Sequence, residues 1–317
     1  MKISGFSMAK NASKLYYPMR QAIESILPIC DEFVVALGDS DPDDTTRKEI
    51  EDIGSEKIRI IDTVWDLEKY PRGMENAHQT DIAMKACTGD WLFYVQADEV
   101  VHEDFLPTIR QRCQELLNDR EVEGLLFKYL HFYGDYDHHH PGHDWYKDEI
   151  RIVRNLPDVH SWISAQSFRR IPNFDGLNYR VTEGTHKLRV ARVDAYIYHY
   201  GWVRPPSLMQ KKNKSLGTIH HGKDAMDKDY SSKPVGFDYG PLGRLSKFQG
   251  THPAVMKNWI DRFDWQDELN YSSKEVNPHR DKQPHDSLKS RVLTWIEQNL
   301  LGGRVIGGFN NYKLLKR

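Results

Sequence analysis

Along the first hundred residues, short apolar runs alternate with longer stretches in which apolar positions recur every three or four residues. Residues 3–7 and Glu32–Leu37 read as strands, and Lys57–Asp62 as a third. Leu15, Met19, Ala22, Ile23 and Ile26 keep helical spacing across Ala12–Leu27, and Pro28 stands where that helix should stop. A second helix is expected from about Thr46 to Ile53. Strand, helix, strand, helix, strand at these intervals predicts βαβ units and a parallel sheet. A longer connection, Thr63 to Glu75, leads to a helix from about Asn76 to Ala86. Next comes Trp91–Val95, a continuous aromatic and β-branched run expected to be a strand buried on both faces. Asp104–Leu117 is amphipathic, with Pro107 tolerable in its first turn, and Gly124–Leu130 reads as a further strand.

The second half changes character. His131–Tyr146 is aromatic, rich in histidine and broken by Gly134, Pro141 and Gly142, so it reads as a loop over the sheet edge. Ile150–Arg154 and Leu188–His199 look like antiparallel strands. A basic stretch follows (Arg204, Lys211, Lys212, Lys214), then a polar region rich in glycine and proline through Pro253. Leu288, Val292, Trp295, Ile296 and Leu300 mark a last helix, with Ser287 as its N-cap. The expected class is thus α/β, a mostly parallel sheet flanked by helices with a smaller helical and irregular C-terminal region.

Composition narrows the possibilities. With 317 residues the chain can bury a substantial core, and 28% charged residues argues against a membrane-embedded protein. The net charge of -2 gives no electrostatic case for nucleic acid as partner. Cys30, Cys87 and Cys113 are widely spaced and lack metal-ligand spacing, which suits packed thiols in a reducing compartment. With no signal-like N-terminus and no long apolar run, a cytoplasmic protein is expected. A final helix lying on a membrane surface, with Lys313, Lys316 and Arg317 toward anionic headgroups, stays compatible with the pattern.

The chemistry concentrates where the central strand ends in Asp98 and Glu99. Carboxylates at the carboxyl edge of an open α/β sheet sit where such sheets place ligands, and they are hard ligands for a divalent cation. The plainer reading is that one of them caps a following helix.

The order of these parts resembles the family 2 glycosyltransferases, which have the GT-A (Rossmann-like) fold. It comprises an N-terminal strand, a polar Asp39-to-Thr46 loop after the second strand, and Gly89-Asp90-Trp91 leading to Ala97-Asp98-Glu99. The likeness is strongest through about Val101. Glu149–Arg154 and His199–Pro205 also resemble segments of some bacterial members. The resemblance implies residues 1–240 as the GT-A domain, with a nucleotide-binding half of about 1–101 and an acceptor half of about 102–240. Residues 241–317 would be a C-terminal helical extension.

It further implies transfer of a sugar from a UDP- or GDP-linked donor to a glycan, lipid-linked or other hydroxyl acceptor, as in polysaccharide biosynthesis, by inversion and with Mn²⁺ or Mg²⁺. Asp98 matches the second aspartate of the family's Asp-x-Asp pair and would hold the metal. Gln96 stands in place of the first aspartate and brings no charge, although it can still hydrogen-bond ribose or water. His199 is similar in position to a late histidine that completes the metal site; a strand-end histidine bonded to backbone would look the same. Asp39 is the expected base or ribose contact, with Asp43 bracing the loop and Asn11 closing over the nucleotide, although such loops also cap helices whatever their function. Arg204, Lys211 and Lys214 would offset diphosphate charge, and of the candidate bases Asp144, Asp148 and Glu149 the last two are favoured. His138, His139, His140 and His143 suit either a metal or an aromatic acceptor loop. Two other readings remain: a catalytically silent GT-A-like domain that binds nucleotide or glycan, and a nucleotidyltransferase.

Overall fold

In the computed structural model residues 1–307 and 310–317 are described. In chain order the elements are β1 (Ile3–Ala9), α1 (Met19–Ile26), β2 (Glu32–Leu37), α2 (Thr46–Glu51), β3 (Ile58–Asp62), α3 (Met74–Lys85), β4 (Trp91–Tyr94) and β5 (Glu99–Val101). Then follow α4 (Leu106–Glu115), β6 (Gly124–Tyr133), β7 (His138–His139), β8 (Asp148–Arg154), β9 (Val159–Trp162), β10 (Ser167–Arg170) and β11 (His186–Trp202). The last are α5 (Pro206–His221), α6 (Lys223–Tyr230), β12 (Ser246–Lys247), α7 (Lys257–Ile260), α8 (Leu288–Asn299) and β13 (Tyr312–Leu314).

The main sheet runs β3-β2-β1-β4-β8-β6-β11-β10-β9. Its first four strands are parallel; β8 is antiparallel to both neighbours, and β11 lies parallel to β6. Both faces of the parallel half are covered, so its strands are apolar without interruption. Phe33, Val35, Trp91 and Phe93 pack with α1 and α4, while Val34, Ala36, Leu92 and Tyr94 pack with α3 on the other face. This is the helix-flanked α/β sheet that the alternation of strands and helices predicts. Among the described residues no helix is long and apolar enough to cross a membrane. All three cysteines are buried and unpaired.

Several elements differ from the sequence reading. The helix expected over residues 12–27 begins only at Met19, because Pro18 occupies its N-cap and Asn11 and Tyr16 turn the chain at φ 54° and 57°. No helix follows Glu99 directly. A short strand, β5, pairs antiparallel with β11 there, so neither Asp98 nor Glu99 is a helix cap. The strand after Gly124 runs on to Tyr133, which takes His131 out of the expected loop and into the sheet. β11 is antiparallel to β5 and β10 but parallel to β6. The basic stretch after Arg204 is helix α5, and the hairpin β9–β10 falls where the pattern offered no alternation. At the C-terminus, β13 adds parallel to β11, and Arg317 pairs with Asp119 and Glu121, so that arginine is engaged by the protein itself.

Candidate functional site

Because β1, β2 and β4 are parallel, their carboxyl ends open on one edge. The loops after them carry Lys10–Tyr17, Gly38–Thr46 and Gln96–Asp98. The first two are tied together. The Asn11 backbone N–H donates to Ser40 Oγ (2.9 Å), and Asn11 Oδ1 accepts from the Asp41 N–H (2.8 Å). Asp39 accepts from Lys10 Nζ (2.8 Å) and from the Trp65 N–H (2.9 Å); burial opposes its ionisation, yet these bonds hold its carboxyl below the usual range. Asp43 is exposed and receives Lys14 Nζ at 2.7 Å. So Asn11, Asp39 and Asp43 all belong to one braced pair of loops.

The two adjacent carboxylates part company. Glu99 is fully buried and takes both Nε and Nη2 of Arg151 at 2.7 Å, the Tyr129 hydroxyl at 2.8 Å and the Gln96 N–H at 3.1 Å. Its acceptor capacity is spent inside the protein. Asp98 instead faces His199, with Oδ2 3.7 Å from Nε2. Gln96 does not join it, for its side-chain amide donates to the Ala165 carbonyl (2.9 Å).

β11 sets His199 beside His131 of β6 in register, and their Nδ1 atoms lie 2.9 Å apart. His131 Nε2 meets the Tyr146 carbonyl at 2.7 Å, and a carbonyl only accepts. The proton of His131 is therefore on Nε2 and its Nδ1 accepts; His199 must donate from its own Nδ1. Burial disfavours the charged form of both rings, with His199 adding to the effect on His131 and Asp98 opposing it on His199. By this assignment His199 Nε2 carries a bare lone pair turned toward the Asp98 carboxylate, two acceptors with no hydrogen between them.

The gap between them is kept open by Gly201. A bulge interrupts the β11–β6 register after His199, and a Cβ at Gly201 would lie 2.6 Å from both Asp98 Oδ2 and His199 Nε2. An oxygen and an imidazole nitrogen with facing lone pairs fit a divalent cation such as Mn²⁺ or Mg²⁺. Among the described residues no group of three His, Cys, Asp or Glu side chains converges as a metal site, so this pair would leave most coordination positions to a ligand.

Positive charge stands next to the pair. Arg204 is fully buried; its Nη1 donates to the Leu15 carbonyl (2.7 Å), its guanidinium lies 4.4 Å from the centre of the Tyr17 ring, and among the described residues its Nε and Nη2 meet no hydrogen-bond acceptor. Buried donor nitrogens left unused on a cation are costly unless an anion meets them. Lys212, on the inward face of α5, lies over the Trp202 ring at 4.9 Å; burial and Arg204 push its ammonium down to about 7, while Asp98 opposes them. Lys211, the residue expected here, is on the exposed face of the same helix, because Met209 and Lys212, three residues apart, are the ones that turn inward.

On β8 the alternation separates Asp148 from Glu149. Asp148 is taken by Arg192 at 2.6 and 3.0 Å. Glu149, on the Arg151 face, accepts from the Gln166 side chain (2.9 Å), and burial pushes its carboxyl up to about 7 against the pull of Arg151 and Gln166. The histidine run disperses: His138 binds Asp135, His140 stacks on Trp145, and His143 binds Glu297. Sequence reasoning missed Tyr17, His131, Gly201 and Lys212. Gly201 gave no signal, since the strand expected over Leu188–His199 stopped two residues before it.

No family model matches the chain, and no curated protein matches it. Among solved structures it is similar to glucosyl-3-phosphoglycerate synthase from Mycobacterium tuberculosis in complex with Mn²⁺, UDP and phosphoglyceric acid, at 21% identity over 42% of this chain and 43% of that one, with a TM-score of 0.28. It is also similar to S. aureus TarS 1–349 in complex with UDP-GlcNAc, at 20% identity over 43% of this chain and 36% of that one, with a TM-score of 0.30. The chain thus spans less than half the length of either. Likenesses of this extent assign it no activity, ligand or family.

Proposed function

We propose that this chain is a glycosyltransferase that moves a sugar from a UDP- or GDP-linked donor to the hydroxyl of a glycan or lipid-linked acceptor, with inversion. The observation that carries the reading is the pairing of two facing acceptors, Asp98 and His199, with a buried guanidinium whose Nε and Nη2 meet no hydrogen-bond acceptor among the described residues. A diphosphate is the ligand class that satisfies both, since its oxygens can meet a cation and Arg204 together. Asp98 and His199 would hold Mn²⁺ or Mg²⁺. When bound, that ion would offset the charge that builds on the leaving diphosphate.

The chain's own groups do the rest. Arg204 and Lys212 stabilise the same charge from fixed positions, with little reorganisation. An arriving diphosphate favours the charged form of Lys212. The loop bearing Asn11, Asp39 and Asp43 receives base and ribose. Glu149 takes the acceptor proton, since a carboxyl raised to about 7 is matched to that task near neutral pH. Asp148, bound to Arg192, is not available for it.

One observation favours a second reading, a silent nucleotide- or glycan-binding domain: Gln96 is spent on the Ala165 carbonyl and adds no ligand to the site. Nucleotide release from UDP- and GDP-sugars separates the two. Turnover by the parent chain, with loss in Asp98→Asn at unchanged circular dichroism, supports the transferase. Turnover retained in Asp98→Asn would refute this site, and none in the parent would favour the silent domain.

A further inference from the structure

Beyond the Asp98–His199 pair lies a cavity of about 1400 Å³ between α8, the 273–287 segment and the end of β6. Drug-sized sites occupy roughly 300–1,000 Å³, so this one has room for several sugar rings. Its wall carries Arg244, Lys274, Arg280, Lys282 and Arg291 against a single carboxylate, Asp286, which Arg280 takes at 2.6 Å. Arg244 donates only to backbone carbonyls, and among the described residues Lys274, Lys282 and Arg291 form no ion pair. Such an excess of cations in a concave site concentrates anions.

The rest of the wall is largely apolar, with Leu245, Val276, Leu288 and several prolines beside aromatic rings and a few amides. Trp295 is 58% exposed, and Tyr133 is buried at the inner end. Asn277 and Gln283 add amides. Exposed aromatic faces suit the C–H faces of sugar rings, and amides suit their hydroxyls. At the inner end the Tyr133 ring stacks on Trp202 at 5.6 Å, and Trp202 carries Lys212, so one aromatic layer separates the cavity from the Asp98 site.

We propose that this cavity binds an anionic saccharide, a short chain bearing carboxylate or phosphate groups. That this saccharide is the acceptor rests on the transferase reading above; its binding does not. Leu288, Val292, Trp295 and Leu300 are also exposed along α8, so a membrane is the competing occupant, which vesicle binding tests.

The test is calorimetric titration of the full chain with a galacturonate hexamer, a phosphomannan oligosaccharide and maltohexaose, beside UDP with Mn²⁺. The galacturonate and phosphomannan arms tell carboxylate from phosphate preference, and binding of either supports the assignment. Lys274→Ala/Arg291→Ala and Trp295→Ala alter exposed or unpaired side chains and should fold. Each is expected to weaken anionic binding about tenfold or more while leaving UDP binding unchanged. Binding of neither anion, equal binding of maltohexaose, or unchanged affinity in both variants would overturn the proposal. So would variants that lose only phosphatidylglycerol-vesicle binding. Saccharide binding with no nucleotide binding would keep the cavity assignment and sink the transferase reading instead.

Discussion

The role of His199 depends on a hydrogen it does not carry on Nε2, and His131 decides that. His131→Phe removes the acceptor that holds the His199 proton on Nδ1. The loss of an outer partner of this kind costs metal sites about 10–100-fold in affinity. Mn²⁺ affinity, read by electron paramagnetic resonance in the presence of UDP, should fall within that range at an unchanged circular dichroism spectrum. Unchanged affinity would show that the imidazole pair only packs. Glu149 makes a prediction in pH. As base it must be ionised, so the rate of transfer should rise as pH rises through about 7, and Glu149→Gln should lose that limb together with most activity. Stability moves the opposite way. The folded state raises this carboxyl above its ordinary 4.5, so the stability linked to its proton is present below 4.5 and is lost as pH rises through about 7. Glu149→Gln should therefore be more stable than the parent above pH 7, a difference that urea titrations at several pH values would show or deny. Asp98 was legible in the sequence because it ends the most apolar run of the chain. Lys212 was not, since choosing among Lys211, Lys212 and Lys214 needs the phase of a helix that the sequence reading did not place.

At the scale of elements, the turn from β4 into β5 is fixed by one ion pair. Glu99 and Arg151 are both fully buried and joined by two bonds of 2.7 Å, and the Tyr129 hydroxyl completes the set. Removing one partner leaves the other charged and alone, which costs about 3–5 kcal/mol. Arg151→Met should lose that much in urea unfolding, and the loss should exceed that of Arg192→Met, whose partner Asp148 is near the surface. Equal losses would mean that Glu99 is solvated or protonated. The parallel half of the sheet was readable because strands covered on both faces must be apolar throughout, and helices between them keep their own period. The hairpin β9–β10 was not. Val159–Trp162 and Ser167–Arg170 mix His, Ser and Arg with apolar residues, and their pairing is enforced by β11 and by Asp81, which binds His160 and the Ser161 N–H. Those partners lie far off in sequence.

Across the whole molecule, the last residues close the sheet. Tyr312–Leu314 add a strand to β11, and the buried Asn311 side chain donates to Ser167 Oγ and to the Phe168 carbonyl. Removing residues 310–317 should expose that edge and leave those acceptors short of donors, at about 1–3 kcal/mol for each buried group. Urea midpoints of the truncated and full chains measure it, and identical midpoints would mean that the tail rests on the sheet without supporting it. The glycine-spaced, basic character of this tail hid its role, because a three-residue strand is too short to show alternation.

We propose that the edge formed by Asp98, His199 and Arg204 is a metal-assisted diphosphate site. Calorimetric titration of UDP and GDP, each with and without Mn²⁺, into the parent chain and Gly201→Ala tests it most directly. One nucleotide should bind the parent tightly only with Mn²⁺, and the added methyl, 2.6 Å from both proposed ligands, should abolish the metal's contribution while the chain stays folded. Binding that ignores Mn²⁺ in both proteins, or no binding of either nucleotide, would contradict it.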